Sequence, residues 1–149
     1  MTGNSNLPPA ARTPVWQRLT VAARHGEFIL QVCERCSRVQ YPPREVCAVC
    51  LHDTLNWEPV SARGKLLSAT TLHASTNAFF RAHLPRQVAL VKLDCGPLIF
   101  AHMAEISADT GAALTLVTRQ DRSGEAVFVA LLDAVDAQQQ LERLQVLFA

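Results

Sequence analysis

Residues Cys33–Cys50 read CERCSRVQYPPREVCAVC, and four of the chain's five cysteines fall within them. Cys33-x2-Cys36 and Cys47-x2-Cys50 form two knuckles separated by ten residues. Each knuckle brings two sulfurs to one ion, and two facing knuckles make a tetrahedral four-thiolate site of the kind zinc accepts. Iron in a rubredoxin-like arrangement uses the same ligands, so the ligand set leaves it open. Redox thiols fit less well, because two C-x2-C motifs would be needed and no helix clearly follows either. So short a segment cannot build its own hydrophobic core, and a bound metal supplies the missing folding free energy. Four thiolates leave no open coordination position, so the expectation is one structural zinc per chain. His52 reads as a surface histidine beside a filled site. Arg35, Arg38 and Arg44 surround the knuckles; they either offset the formal charge of a four-thiolate zinc centre or present a phosphate-binding or partner surface.

Upstream, VWQRLTVAARH (Val15–His25) predicts a short helix after a loose arm. Pro14 sits where a first turn tolerates proline, Trp16, Leu19 and Ala23 share a face, and Gly26 ends it. EFILQVC then reads as a strand running into the knuckles. Downstream, LHDTLNWEP is a connector, and the texture changes from Ser61 onward. GKLLSATTLHA reads as one long or bent strand, and STNAFFRAHLPR as a loop or short helix. QVALVKLD and LIFAHMAEI are strands joined by a tight turn at DCGP, and AALTLVTRQ and EAVFVALL are two more joined through DRSG. Five strands on about 70 residues favour a small closed or partly closed barrel, which also hides strand edges. The tail DAVDAQQQLERLQVLFA has helix-forming residues and places Leu141, Leu144 and Phe148 on one face.

The chain has 149 residues, 49% of them hydrophobic, with 14 basic and 13 acidic side chains. That suits one core-forming domain with a small appendage. The near-zero charge argues against a general polyanion binder. No apolar run reaches the roughly 18 residues of a spanning helix, and the N-terminus lacks a signal core. A cytoplasmic protein without membrane partners is therefore expected, a setting in which clustered cysteines hold metal more often than disulfides.

The four cysteines, YPPR between them, G-x-L-x-S-x-T from Gly64 to Thr70, and PRQVALVKLDCGP resemble the small zinc-ribbon plus OB-fold proteins associated with acyl-CoA metabolism. The resemblance spans roughly residues 15–129. It maps the family's metal ligands onto Cys33, Cys36, Cys47 and Cys50, and its aromatic–proline turn onto Tyr41, Pro42 and Pro43. Leu51 and Ser37 stand where this family commonly has glycine after a knuckle.

It implies a mainly β fold divided as follows: residues 1–32 an N-terminal arm, short helix and incoming strand; 33–50 a rubredoxin-like zinc ribbon; 51–132 a five-stranded OB-fold barrel with its connector; 133–149 a C-terminal helix. It also implies a non-catalytic accessory subunit in a hetero-oligomer with a thiolase-like or ketosynthase-like catalytic chain. There it would stabilise the partner and shape access for an acyl-CoA, β-keto or aromatic acyl substrate, with a CoA thioester bound by the complex. An acyl-CoA hydratase complex is the other setting the family offers.

Candidate partner or substrate-entrance residues are Phe79, Phe80, Arg81, His83 and Arg86 in the loop, and Leu141, Leu144 and Phe148 in the tail. For the two phenylalanines the alternative is a place in the core; for the tail stripe it is a cover over the barrel. Two rival classes remain. A single-strand nucleic-acid module would need basic charge and stacking aromatics, and the barrel strands offer only Phe100 and Phe128. A stand-alone enzyme would need Cys95, His73, His83 or His102 to converge in one cleft; Cys95 reads instead as a small buried hydrophobe.

Overall fold

A computed structural model describes residues 7–10 and 12–148; the first six residues of the expected arm and the last of the tail lie outside that range. A 3-10 turn at Pro14–Trp16 leads into helix α1 (Gln17–Arg24), with Leu19, Ala22 and Ala23 buried. Gly26, at φ 68°, takes the left-handed conformation that releases the chain from the helix. Strands β1 (Ile29–Cys33), β2 (Val39–Gln40) and β3 (Leu55–Pro59) form a three-stranded antiparallel sheet in the order β2-β1-β3.

The sequence reading had left Leu55–Pro59 in a connector belonging to the barrel. It is instead the ribbon's third strand, paired with β1 from Ile29↔Pro59 to Cys33↔Leu55. Only Leu55 and Trp57 of this strand are even half-buried. Its Leu55-Asn56-Trp57-Glu58 alternation is short and ends at Pro59, and the strand is held by main-chain pairing to β1.

Strands β4 (Arg63–Leu72), β5 (Arg86–Leu93), β6 (Leu98–Met103), β7 (Ala113–Gln120) and β8 (Ala126–Leu132) close a barrel in the order β4-β5-β6-β8-β7. Every pairing is antiparallel except β6 with β8, where His102 meets Val129 and Met103 meets Ala130 in parallel. That single parallel contact makes the ring an OB-type barrel rather than a meander. The long β4 is bent by an irregularity between Leu66 and Ser68, which lets one strand serve both β5 and β7. At the β5–β6 turn, Gly96 at φ 125° donates to Leu93 O at 3.0 Å. At the β7–β8 turn, buried Asp121 accepts from the main-chain N–H groups of Ser123 (2.9 Å) and Glu125 (3.1 Å).

Leu66, Ala89, Val91, Leu93, Ile99, Ala101, Met103, Leu114 and Leu116 fill the barrel, and α1 closes one side through Leu19. A second cluster lies outside the barrel wall. Phe79 from helix α2 (Ala78–Ala82) and Leu144 and Leu147 from the tail pack over Ala104, Val129 and Leu131. The C-terminal helix α3 is confined to Ala137–Glu142, capped by the Asp136 side chain accepting from Gln139 N at 2.9 Å, and a 3-10 turn follows at Gln145–Leu147. Fully buried Gln140 ties this tail to β8: its amide donates to Leu132 O at 3.0 Å and accepts from Leu132 N at 2.8 Å.

Candidate metal centre

The left-handed turns at Ser37 (φ 57°) and Leu51 (φ 59°) shape the two knuckles. Ser37 N donates to Cys33 O at 2.8 Å, and Leu51 N donates to Cys47 O at 3.1 Å. Each hydrogen bond folds the chain back so that both cysteines of a knuckle aim at one point. The four Sγ atoms lie within 4.8 Å of one another. Cys33 and Cys50 sulfurs are 3.6 Å apart, as are those of Cys36 and Cys47. Zn–S bonds of about 2.3 Å make a tetrahedron with S···S edges of about 3.8 Å, so this cage has the size the ion requires. Main-chain N–H groups of Cys50 and Val49 reach the Cys47 sulfur, the latter at 3.4 Å, and lower its thiol, while at Cys36, against the Arg38 N–H, burial and the neighbouring sulfurs raise the thiol, so the cage favours a shared cation over free thiols. His52 is outside the cage, with its imidazole 4.0 Å from the carboxylates of Glu34 and Asp53. Arg35, Arg38 and Arg44 are exposed around the knuckles.

The loop between the knuckles is held by two buried side chains that the sequence reading did not single out, Gln31 and Gln40. Gln31 donates to Arg44 O and accepts from Arg44 N, both at 2.8 Å. Gln40 accepts from Ala48 N at 3.0 Å. The signal was available: both are polar residues at inward positions of short strands, where a buried amide must find partners. Beyond Gln40, the Tyr41 ring stands edge-on to Trp16 (5.9 Å between centroids) and to Phe128 of the barrel (5.5 Å). Burial pushes the Tyr41 phenol up to about 12, against a small opposing effect from Arg12.

This is the arrangement of a rubredoxin-like ribbon seated on an OB barrel, and two family models match it. The ChsH2 rubredoxin-like zinc ribbon domain covers residues 20–58, and the ChsH2 C-terminal OB-fold domain covers residues 57–119. The chain carries the ChsH2 domain pair. A solved structure described as the Ltp2-ChsH2(DUF35) aldolase is similar to it, with a TM-score of 0.70 over 86% of this chain and 100% of that one. Identity is 21%, so the likeness is one of fold. No curated protein matches the chain. The ChsH2 ribbon match ends inside β3, in keeping with that strand's pairing to β1.

Around the ChsH2 pair, the other candidate residues divide. Phe79 is 1% exposed and Leu144 8%, both in the second core cluster, with Leu141 and Phe148 packed against it. Phe79 and Leu144 thus take the core and barrel-cover alternatives rather than a partner surface, while Leu141 and Phe148 are half-buried at the cluster's edge. Tail and α2 hide the outer face of β8, and their apolar side chains are spent on each other. His83 Nδ1 lies 2.7 Å from Phe79 O, with its ring against Phe79. Arg81 is exposed. Arg86 lies over the Phe80 ring at 4.5 Å and donates to His102 Nδ1. Burial, and then the Arg86 cation, bring the His102 imidazole down to about 3, so it stands neutral as an acceptor. Cys95 sits at the opposite end of β5, in the turn, with its thiol 3.5 Å from Ser61 O and raised by burial. Cys95 and these histidines therefore do not form one cleft. Among the described residues, no helix is long and apolar enough to cross a membrane.

Proposed function

We propose that this chain is a non-catalytic accessory subunit of a thiolase-type acyltransferase complex, stabilising its catalytic partner and shaping access for an acyl-CoA, β-keto or aromatic acyl substrate. The observation that carries this reading is the pairing of a closed four-cysteine centre with an OB barrel in the ChsH2 arrangement. Zinc bound there supplies folding free energy to the ribbon and has no free position for substrate. Cys95, His83 and His102 do not meet in one cleft. The similar solved structure is described as an aldolase. Aldol and thiolase chemistry both make or break a carbon–carbon bond beside a carbonyl, so the partner belongs to that reaction class. The complex, rather than this chain alone, would hold the CoA thioester, and it would work in the cytoplasm.

The test is co-expression with a thiolase-like or aldolase-like catalytic chain, followed by size-exclusion chromatography with light scattering. Thiolysis, acyl-transfer and retro-aldol turnover are then assayed. A hetero-oligomer should form and be active, and the isolated small chain should be inactive. Turnover by the small chain alone, or a catalytic chain equally stable and active without it, overturns the proposal.

A further inference from the structure

The outward face of β4-β5-β6 carries the most exposed large apolar side chain of the barrel strands, Phe100. Register fixes its rows. Phe100, Leu90 and Ser68 stand side by side across the three strands, as do His102, Val88 and Thr70. Leu98, Lys92 and Lys65 form the row on one side, and Arg86 pairs with Leu72 on the other. Phe100 is 71% exposed at the centre, and Leu98 and Leu72 are exposed with it. A cavity of about 380 Å³ adjoins Phe100, walled by Trp16, Tyr41, Val88 and Phe128.

Charge is segregated here although the chain is almost neutral overall. The three strands carry Arg63, Lys65, Arg86 and Lys92 and no aspartate or glutamate. The nearest acids in sequence, Asp94 and Glu105, lie outside the strand ends, and Asp133 from beyond β8 reaches Arg63 at 3.5 Å. An apolar centre with a polar, solvent-exposed rim is the anatomy of a protein interface. Single-strand binding would need a series of exposed stacking rings along the face; here Phe100 alone stands exposed, because Trp16, Tyr41 and Phe128 in the cavity wall are half-buried or buried and pack on one another.

We infer that the β4-β5-β6 face is the docking surface for a protein partner, one that presents an apolar pocket for Phe100 inside an acidic rim facing Lys65 and Lys92. The inference rests on the accessory-subunit reading and names the surface that reading requires. The partner used to test it is the co-expressed thiolase-like or aldolase-like chain of the preceding experiment. Phe100→Ala should weaken its binding about 10- to 30-fold, the size of an anchor residue's contribution. The double variant Lys65→Glu/Lys92→Glu should slow association about 10-fold at low salt and flatten its salt dependence. Both variants should keep the wild-type melting temperature and metal content, since all three side chains are exposed. Unchanged affinity and association rate in both variants overturn the docking face and leave the accessory role standing. Failure of the wild-type chain to bind the catalytic chain overturns both. Salt-dependent binding of an oligothymidine of about 20 nucleotides, lost in Phe100→Ala, would make the face a nucleic-acid surface and overturn the inference.

Discussion

Gln40 donates its amide to Gln31 Oε1 across β1 and β2 at 3.2 Å, and between them the two side chains fasten the loop that joins the knuckles. Gln31→Met leaves Arg44 N and O without their side-chain partner. A lost buried amide of this kind costs about 1–3 kcal/mol. Thermal unfolding should show the loss, and a chromophoric chelator should strip the metal faster than from the wild type. Equal melting temperature and release rate would show that water replaces the amide at no cost.

Metal content is the most direct check of the cage. Mass spectrometry of protein purified without added zinc should find one zinc per chain. One iron, or no metal, would reject that assignment. Cys33→Ser removes a buried ligand, so the ribbon should lose protection from hydrogen exchange while the barrel strands keep theirs.

Leu51 is 74% exposed and held at φ 59°, a conformation that favours glycine. Leu51→Gly should stabilise the ribbon by about 0.5–1 kcal/mol, the relief of left-handed strain less the added freedom of the unfolded chain. Ser37→Gly should act in the same direction. Chelator-coupled unfolding measures both, and a loss of stability in both would contradict the strain argument.

Gly64 has the opposite requirement. A Cβ at this position would lie 2.5 Å from the Lys92 carbonyl oxygen, and that oxygen belongs to the main chain of the paired strand. Gly64→Ala should destabilise the barrel by about 2–3 kcal/mol through forced separation of β4 from β5. Urea unfolding followed by circular dichroism would register it; a wild-type midpoint would contradict the close approach.

His102 sets a pH dependence. Its folded pKa of about 3 lies below the ordinary 6.5, so the unfolded chain takes up this proton first as pH falls. Stability from this group is complete above pH 6.5 and declines between there and pH 3; at pH 5 the loss is about 2 kcal/mol. His102→Gln keeps an acceptor for Arg86 and has no proton to gain, so its stability profile should be flatter over that window. Parallel profiles for the two proteins would remove His102 as the cause.

The parts of this fold legible in the sequence were those fixed by local chemistry. Four cysteines at knuckle spacing define the cage whatever surrounds them, and the turns at DCGP and DRSG mark the two hairpins. What escaped depends on partners distant along the chain. β3 is a strand because β1 lies beside it, and its four alternating residues before Pro59 are too few to mark it alone. For Phe79 and Leu144 the sequence offers both a partner surface and a place in the core, and nothing local decides between them, because the tail must return over β8 to meet α2. The parallel contact of His102 with Val129, which closes the barrel, leaves no mark in either strand. In the candidate site, the ligands could be read directly, whereas the roles of Gln31 and Gln40 required knowing where their amides end.

Closure of the barrel has a consequence for how such a protein acquires partners. With each of β4 to β8 hydrogen-bonded to two neighbours, the barrel leaves only short stretches unpaired, chiefly the Ser68–Leu72 end of β4 on the side away from β5, so the route by which open sheets capture extended peptides is largely closed. Recognition by the barrel is left mostly to its side chains. Outward-facing side chains on β4, β5 and β6 can then be exchanged without disturbing the ring beneath, so one scaffold can be matched to different catalytic chains by a few surface substitutions while its backbone stays the same.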